Sequence, residues 1–311
     1  MKQTLKDLTR KSVFLSMMLL ACSGIFAKSK TKWAVNPELP MSVRMCQSEI
    51  IRNPEGWLLD FSTKLIWNYC HGLECQAFLD VYDRYGGDYL YKYVKQFADT
   101  MINENGRIYG YKKTNYIFDY VNSGKILFRL YERVKDPRYK IAMDTLRAQL
   151  ASQPRTSDGG FWHKKIYPYQ MWLDGIYMGS PFYAQYAATF NEPEDFADVV
   201  SQFLIIAKHT YDKKTGLYRH AWDEIKALPW SDLKTGQAPH VWGRALGWYM
   251  MAIVDALDFI PENQPGRDKM ILILNDLVKI LPKYQDQRTG AWYQVVDMPE
   301  REGNYLEMSC T

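Results

Sequence analysis

Four glycine-closed loops recur along the chain, and this repeat constrains the fold more than any other sequence feature. The loops are 54, 56 and 74 residues apart, and their closing glycines are Gly106, Gly160, Gly216 and Gly290. Each loop ends a unit made of two helix-like apolar stretches separated by a turn. Repeated two-helix units stack as hairpins, because a single hairpin cannot bury its apolar face alone.

The spacing of apolar residues within the units predicts an all-α fold. In the second unit, one helix face carries Leu127, Leu130, Tyr131 and Val134. Alternating β-branched runs are scarce, and the aromatic residues, 15% of the chain, favour closure of the hairpins into a ring over an open solenoid. We therefore expect an (α/α)6 barrel. Residues 303–311 resemble the opening of another unit, which predicts that the C-terminal hairpins are missing from this chain.

The N-terminus has the pattern of an export signal. A basic stretch over residues 2–11 precedes an apolar run over residues 13–21 that is too short to span a bilayer. Cleavage after Ala27 predicts a signal peptide over residues 1–27. Alternatively, residues 19–22 form a lipobox and Cys22 carries a lipid anchor. Both interpretations predict an exported protein, periplasmic in the first case and a lipoprotein in the second.

The rest of the chain predicts one catalytic domain. We expect an N-terminal linker over residues 28–49 and a single α/α toroid over residues 50–311, truncated at its C-terminus. The formal net charge is +4, of which +3 lies in the signal peptide, so no charge pattern favours nucleic acid or an anionic membrane. The sequence predicts no membrane span and specifies no oligomeric state.

Two aspartates occupy the same position in consecutive units. Asp119 lies five residues before Gly124, and Asp174 lies five residues before Gly179. Equivalent positions in a ring of hairpins share one rim of neighbouring inner helices, so the two carboxylates are predicted neighbours. Paired carboxylates supply the acid and the base that glycosidic chemistry needs. The alternative is that both aspartates are helix N-caps.

Other side chains with suitable chemistry lie near these aspartates in the repeat. Trp172 precedes Asp174 by two residues, and its apolar surface is expected to raise the pKa of that carboxyl towards neutrality. Arg244 is a candidate for bidentate binding of a carboxylate. The further candidates for substrate binding are His163, His220 and Trp248. The alternatives are a core role for Trp172 and surface positions for His220 and Arg244.

Several common catalytic motifs are absent from the sequence. It contains no HExxH, no phosphate loop, no GxGxxG and no GxSxG. No tight cluster of His, Asp or Glu has the spacing of metal ligands either, so the sequence sets aside the chemistries that these motifs carry.

Four segments together resemble glycoside hydrolase family 105, the unsaturated rhamnogalacturonyl hydrolases, and next the family 88 unsaturated glucuronyl hydrolases. The resemblance covers roughly residues 50–311, and its most specific part is the stretch from Trp172 to Met178. The segments that carry it are residues 118–125, 167–178, 219–222 and 241–248. The resemblance independently implies an (α/α)6 barrel.

The resemblance also implies a reaction. The family releases 4,5-unsaturated uronic acid from the non-reducing end of lyase-generated pectin or rhamnogalacturonan oligosaccharides by hydrating the C4=C5 double bond. Asp174 matches the general acid and base, and Asp119 matches the second acidic position. Trp172, His220 and Arg244 match positions that line the sugar site. No cofactor is needed, because an enol ether accepts a proton readily.

Other functions remain open at this point. One is a non-catalytic carbohydrate-binding toroid, in which the two aspartates only hydrogen-bond to sugar. The others are α/α-barrel sugar enzymes: a family 88-type glucuronyl hydrolase, an inverting glycosidase or an epimerase.

Overall fold

The structure, a computed structural model, describes residues 35–310, of which residues up to 51 belong to one compact unit and residues from 52 onwards to another. The predicted signal peptide and Cys22 lie outside the described residues. In the described part of the first unit, helix α1 (Met41–Arg52) begins within the segment predicted to be a linker. Val43 and Cys46, three residues apart on this helix, are buried.

Among the described residues, the second unit contains four helical hairpins, which follow the four sequence repeats. The first hairpin is α2 (Tyr69–Tyr85) and α3 (Asp88–Met101). The second is α4 (Asp119–Asn122) and α5 (Lys125–Val134), followed by α6 (Pro137–Ser152). The third is α7 (Leu173–Phe190) and α8 (Asp195–Thr210), and the fourth is α9 (Gly243–Leu257) and α10 (Arg267–Ile280). The prediction of an all-α, α/α-barrel type of fold is confirmed.

The loops between these helices add short strands and 3-10 turns. Strand β1 (Gln170–Trp172) pairs with β4 (Ala221–Asp223), and β2 (Tyr211–Asp212) pairs with β3 (Leu217–Tyr218), both antiparallel. The 3-10 turns are Gly56–Leu58, Lys113–Asn115, Leu281–Tyr284 and Met308–Cys310. The β1–β4 ribbon joins the entry of the third hairpin to its exit.

The closing loops differ in which glycine takes the left-handed backbone. Gly106, Gly216 and Gly290 have φ values of 72°, 75° and 75°, so a side chain there would be strained. In the second loop this role falls to Gly159, with φ 94°, rather than to the predicted Gly160. Gly160 is needed for a different reason, because a Cβ at that position would overlap the side chain of Met171.

The core lies between helices of neighbouring hairpins. Helix α7 packs against α4, α6, α8 and α9, and α2 packs against α3, α4 and α5. On the predicted apolar face of α5, Leu127 and Leu130 are fully buried, whereas Val134, the last helical residue, is exposed. No helix within residues 35–310 is both long enough and apolar enough to cross a membrane.

One buried cation connects three helices of the core. The Nζ atom of Lys125 on α5 lies 3.8 Å from the ring centroid of Tyr177 on α7. It also lies 3.6 Å from Oδ2 of Asp255 on α9. Burial lowers the pKa of Lys125 to about 8 although the Asp255 carboxylate opposes this shift. The ammonium group of the second hairpin thus contacts a side chain of the third hairpin and one of the fourth.

Gly179 permits the close approach of the second and third hairpins, and this contact gives a stability prediction. A Cβ on Gly179 in α7 would overlap the ring of Phe118, which precedes α4. We expect Gly179→Ala to lower the free energy of unfolding by about 1–3 kcal/mol because of overpacking. Gly247 in α9 is the matched control, since a Cβ there meets nothing within 4 Å. Gly247→Ala is expected to raise the stability by about 0.5–1 kcal/mol through helix propensity. Denaturant unfolding measures both, and equal stabilities of the two variants would contradict the close contact.

Candidate active site

The two predicted carboxylates both lie in the first turn of an inner helix. Asp119 is the first residue of α4, and Asp174 is the second residue of α7. The N-cap residues are Phe118 and Trp172, and neither helix start has a side-chain cap. The alternative that the aspartates are N-caps is therefore wrong. The helix N-terminus nevertheless favours a negative charge at both positions.

His163 lies between the starts of these two helices. Its backbone NH donates to the carbonyl of Gln170 over 2.9 Å, and its carbonyl accepts from the NH of Phe118 over 3.3 Å. Its Nε2 lies 3.7 Å from Oδ1 of Asp119. Its ring stacks on Trp172, with the ring centroids 4.5 Å apart and the planes 10° apart. The predicted residues Asp119, His163 and Trp172 are thus in direct contact.

The imidazole of His163 is buried and neutral. Only 3% of the residue is exposed, and burial lowers its pKa to about 4 although the negative charges of Asp119 and Asp174 oppose this shift. The ring fits because Gly175 follows Asp174: a Cβ on Gly175 would lie 2.8 Å from Nδ1 of His163. The glycine of the Trp172-to-Gly175 stretch is therefore required by the packing of this histidine.

The β1–β4 ribbon brings Asp174 and His220 together. Trp172 pairs with Ala221, and the NH of Leu173 donates to the carbonyl of His220 over 3.0 Å. Asp174 follows β1 and His220 precedes β4, so this register places their side chains beside each other. The Nε2 of His220 donates to Oδ2 of Asp174 over 2.9 Å, in the tautomer that carries the proton on Nε2.

The expected rise in the pKa of Asp174 is wrong. Burial does raise it, but the hydrogen bond from His220 and the positive charge of that ring outweigh burial, so the pKa lies below the usual aspartate range. The apolar neighbour Trp172 was visible in the sequence, whereas His220 comes from 46 residues further along the chain. In the unliganded protein, the low pKa therefore favours the ionised carboxylate of Asp174.

Lys164 belongs to the site and was missed by the sequence analysis. Its Nζ lies 2.5 Å from Oδ2 of Asp119, and about a fifth of its side chain is exposed. Asp119 thus has His163 on one carboxylate oxygen and Lys164 on the other. The adjacency of Lys164 to the candidate His163 was the only available signal, and a single lysine after a histidine is a weak one.

Arg244 reaches the site through Trp242, which the sequence analysis also missed. The guanidinium carbon lies 4.1 Å from the ring centroid of Trp242, and this ring meets His220 edge-on with centroids 4.9 Å apart. Arg244 also donates to the carboxylate of Glu307. A guanidinium has five N–H donors, so the pair with Glu307 leaves some of them for a ligand. Arg244 is thus held at the edge of the site.

Trp248 lies on α9 and packs against aromatic rings outside the set of candidates. Its ring centroid is 4.6 Å from that of Tyr177 and 6.4 Å from that of Tyr69. The other six predicted site residues form one connected group of side chains, in which Arg244 is joined through Trp242.

Two openings are lined by members of this group, one by His220 and the other by Trp172. A cavity of about 420 Å³ lies beside His220 and Trp242 and has polar walls that include His240, Arg301 and Asn304. A groove of about 610 Å³, here called the Trp172 groove, has mainly apolar walls formed by Ile166–Gln170, Trp172, Asp223, Ile225, Ala227, Leu228 and Trp230. Within residues 35–310, no three His, Cys, Asp or Glu side chains are grouped so as to hold a metal ion.

Comparison with known proteins connects this geometry to a family. The family model described as Glycosyl Hydrolase Family 88 matches residues 41–311. The chain belongs to glycosyl hydrolase family 88. Among solved structures, a glycoside hydrolase from family 105 of C. acetobutylicum is 42% identical, with a TM-score of 0.82 over 88% of this chain and 74% of that one. The predicted relationship to families 105 and 88 is confirmed.

Two curated relatives match part of the chain. Protein Atu3128 of Agrobacterium fabrum (strain C58) is 34% identical over 134 residues, which are 43% of this chain and 56% of that protein. The unsaturated rhamnogalacturonyl hydrolase YesR of Bacillus subtilis (strain 168) is 27% identical over 197 residues, covering 61% of this chain and 54% of that protein. The chain thus spans about half the length of these curated relatives.

The buried neutral His163 predicts a pH-dependent stability. A histidine with an ordinary pKa near 6.5 when unfolded and about 4 when folded binds its proton preferentially in the unfolded state. Its contribution is fully present above pH ~6.5 and is lost as the pH falls towards 4. We expect wild type to lose about 2 kcal/mol more than His163→Gln between pH 7 and pH 5. Urea unfolding at both pH values measures this difference, and parallel losses would show that His163 is not buried in its neutral form.

Proposed function

We propose that the protein releases 4,5-unsaturated galacturonic acid, or a related uronic acid, from the non-reducing end of lyase-generated pectin or rhamnogalacturonan oligosaccharides. The observation that carries this proposal is the hydrogen bond between His220 and Asp174, which lies in the first turn of its helix. A second carboxylate, Asp119, is connected to this pair through His163 and Trp172. The name of the relative YesR supports the choice of substrate, and the similarity to a family 105 glycoside hydrolase supports the class of reaction.

In the proposed first step, Asp174 protonates C4 of the unsaturated uronic acid. The electron pair of the C4=C5 bond forms the new C4–H bond, and the positive charge at C5 is shared with the ring oxygen. Asp174 reacts in its carboxylic acid form, with Nε2 of His220 2.9 Å from its carboxyl group. The carboxylate of a bound substrate favours this form, because a nearby negative charge raises the pKa of the Asp174 carboxyl.

In the proposed second step, water adds at C5. Asp174, now ionised, takes a proton from this water as the C–O bond forms, so the same carboxyl acts first as acid and then as base. The product is a hemiketal at C5. The C5–O5 bond of the hemiketal then breaks, which gives a ketone at C5 and a hemiacetal at C1. Breakdown of this hemiacetal to an aldehyde releases the remaining sugar chain as an alcohol.

Charged and aromatic side chains would hold the substrate. Arg244 would bind the uronate carboxylate or a neighbouring hydroxyl with the donors that Glu307 leaves available. Asp119, fixed by Lys164, would accept hydrogen bonds from sugar hydroxyls. The rings of Trp172 and Trp248 would pack against the apolar faces of the sugar.

We further propose that the protein acts after export, as a periplasmic enzyme or as a lipoprotein anchored at Cys22. The support is the basic and apolar pattern of residues 1–27. Short charged oligosaccharides left by an extracellular lyase would be available in that compartment.

The test follows the ultraviolet absorbance of the conjugated double bond in an unsaturated galacturonyl-rhamnose disaccharide. Wild type is expected to abolish this absorbance, and Asp174→Asn to react about a hundredfold to ten-thousandfold more slowly, because it removes the general acid. Asp158→Asn is the matched control. Asp158 also forms a hydrogen-bonded pair with a histidine, His209, with 2.6 Å between Oδ2 and Nε2, and this pair is not part of the candidate site. This control should retain wild-type activity.

The alternatives predict different results in the same assay. Turnover of an unsaturated glucuronyl disaccharide alone would indicate a family 88-type specificity, and turnover of saturated glycosides would indicate another sugar enzyme. A folded wild type that binds the oligosaccharide without loss of absorbance, with unchanged binding by Asp174→Asn, would overturn the proposed reaction in favour of a binding protein. Circular dichroism checks the fold of each variant.

A further inference from the structure

One ring nitrogen of His163 borders a small interior cavity. The Nδ1 atom is buried and has no hydrogen-bond partner among residues 35–310. It faces helix α7, since a Cβ on Gly175 would lie 2.8 Å from it. The cavity has a volume of about 10 Å³ and is lined by His163, Gly175 and Ser180 among others. It shares only Trp172 with the Trp172 groove and is therefore a separate space.

The surroundings of the other ring nitrogen determine where His163 carries its proton. Nε2 lies 3.7 Å from Oδ1 of Asp119, and Oδ2 of this carboxylate is paired with Lys164. A carboxylate attracts an N–H group and repels a ring lone pair, which places the proton of the neutral imidazole on Nε2. Nδ1 is then a hydrogen-bond acceptor. It needs a donor, because a buried polar atom without a partner costs free energy.

Two of the polar side chains that line the cavity already use their donors elsewhere. The amide of Gln202 donates through Nε2 to the carbonyl of Gly159 over 3.1 Å and to Oδ1 of Asp198 over 2.9 Å. The indole NH of Trp172 donates to Oε1 of Gln170 over 3.1 Å. Neither side chain has a further N–H group for Nδ1.

Ser180 supplies the remaining side-chain donor of the cavity. It lies on α7 and is 3% exposed, so its hydroxyl is removed from bulk solvent. The hydroxyl does not reach Nδ1 of His163 directly, since that nitrogen has no partner within residues 35–310. A volume of about 10 Å³ is close to the least that one water molecule requires, and a buried water makes about three hydrogen bonds. The size and the polar lining of the cavity thus both suit a single water.

We propose that one water molecule occupies this cavity, donates to Nδ1 of His163 and accepts from the hydroxyl of Ser180. Its second hydrogen atom is available to Oε1 of Gln202, which accepts from the NH of Phe161 over 2.8 Å and keeps a second lone pair. The water thereby connects α7 and α8 to the imidazole.

This bridge makes Ser180 a positioning residue for Asp119. The water satisfies Nδ1 and holds the imidazole in the orientation in which Nε2–H faces the carboxylate. Without the hydroxyl, the water loses a partner and the ring is less firmly oriented. This role of Ser180 rests on the proposed function, in which Asp119 accepts hydrogen bonds from sugar hydroxyls. The water site itself does not depend on that function.

Two measurements on the unliganded protein test the water site. A high-resolution crystal structure of wild type is expected to show a water about 2.8–3.0 Å from Nδ1 of His163 and from Oγ of Ser180. Nitrogen-15 NMR with labelled histidine, assigned with His163→Gln, is expected to show the proton on Nε2. Ser180→Ala should move the Nδ1 signal downfield, towards that of an imidazole nitrogen without a hydrogen bond. An empty cavity, a proton on Nδ1 or an Nδ1 signal that Ser180→Ala leaves in place would overturn the site.

Enzyme kinetics test the positioning role. Ser180→Ala is expected to raise KM about fivefold and to change kcat less than about twofold, because the loss of one hydrogen bond corresponds to about this factor and Asp119 holds the substrate rather than transferring the proton. Thr210→Val is the matched control. Thr210 is also fully buried, but its hydroxyl donates to the carbonyl of Ile206 in the same helix over 2.7 Å, and it does not line the cavity. This control should keep both the wild-type KM and the Nδ1 signal.

The outcomes separate this inference from the proposed function. A wild-type KM in a Ser180→Ala variant that has lost the water would overturn the positioning role while the proposed function stands. If wild type hydrates no unsaturated substrate, the proposed function and the role of Ser180 in it both fail, and the crystal structure and the NMR signal still decide the water site. Circular dichroism checks that each variant is folded.

Discussion

The candidate site depends on the burial of one neutral imidazole between the first turns of two inner helices. His163 is held by its backbone to Gln170 and Phe118 and by its ring to Trp172, with Asp119 at its edge. Because the ring is almost fully desolvated, its neutral form is favoured. The cation that pairs with Asp119 is therefore Lys164 and not this imidazole.

Two opposing effects determine whether the carboxyl group of Asp174 is ionised. Its burial disfavours a charged carboxylate, and the hydrogen bond from His220 favours one, with the second effect prevailing in the unliganded protein. This balance keeps Asp174 ionised and hydrogen-bonded to Nε2 of His220 before a ligand binds. A ligand that brings its own negative charge would shift the balance towards a protonated Asp174, so substrate binding itself would prepare the acid.

Much of this arrangement could be predicted from the sequence because it follows from the repeat. The phase of Asp119 and Asp174 relative to Gly124 and Gly179 predicted equivalent positions in consecutive units, and both do lie in the first turn of a helix. The sequence could not show the partners that distant loops supply. His220 reverses the expected pKa shift of Asp174, and Glu307 lies 63 residues from its partner Arg244. The left-handed backbone of Gly159 in place of Gly160 likewise depends on a tertiary contact, since Met171 fills the space beside Gly160.

The β1–β4 ribbon has a consequence for how such a site diverges. It fastens the two ends of one hairpin to each other, so Asp174 and His220 are carried by a single structural module. Asp119 comes from the preceding hairpin, and Arg244 and Trp248 come from the following one. Small rotations between hairpins therefore reshape the surroundings of the sugar without altering the proton-transfer distance within the module. Inheritance of the third hairpin as a unit preserves the chemistry, while its neighbours are free to adapt to new polysaccharides.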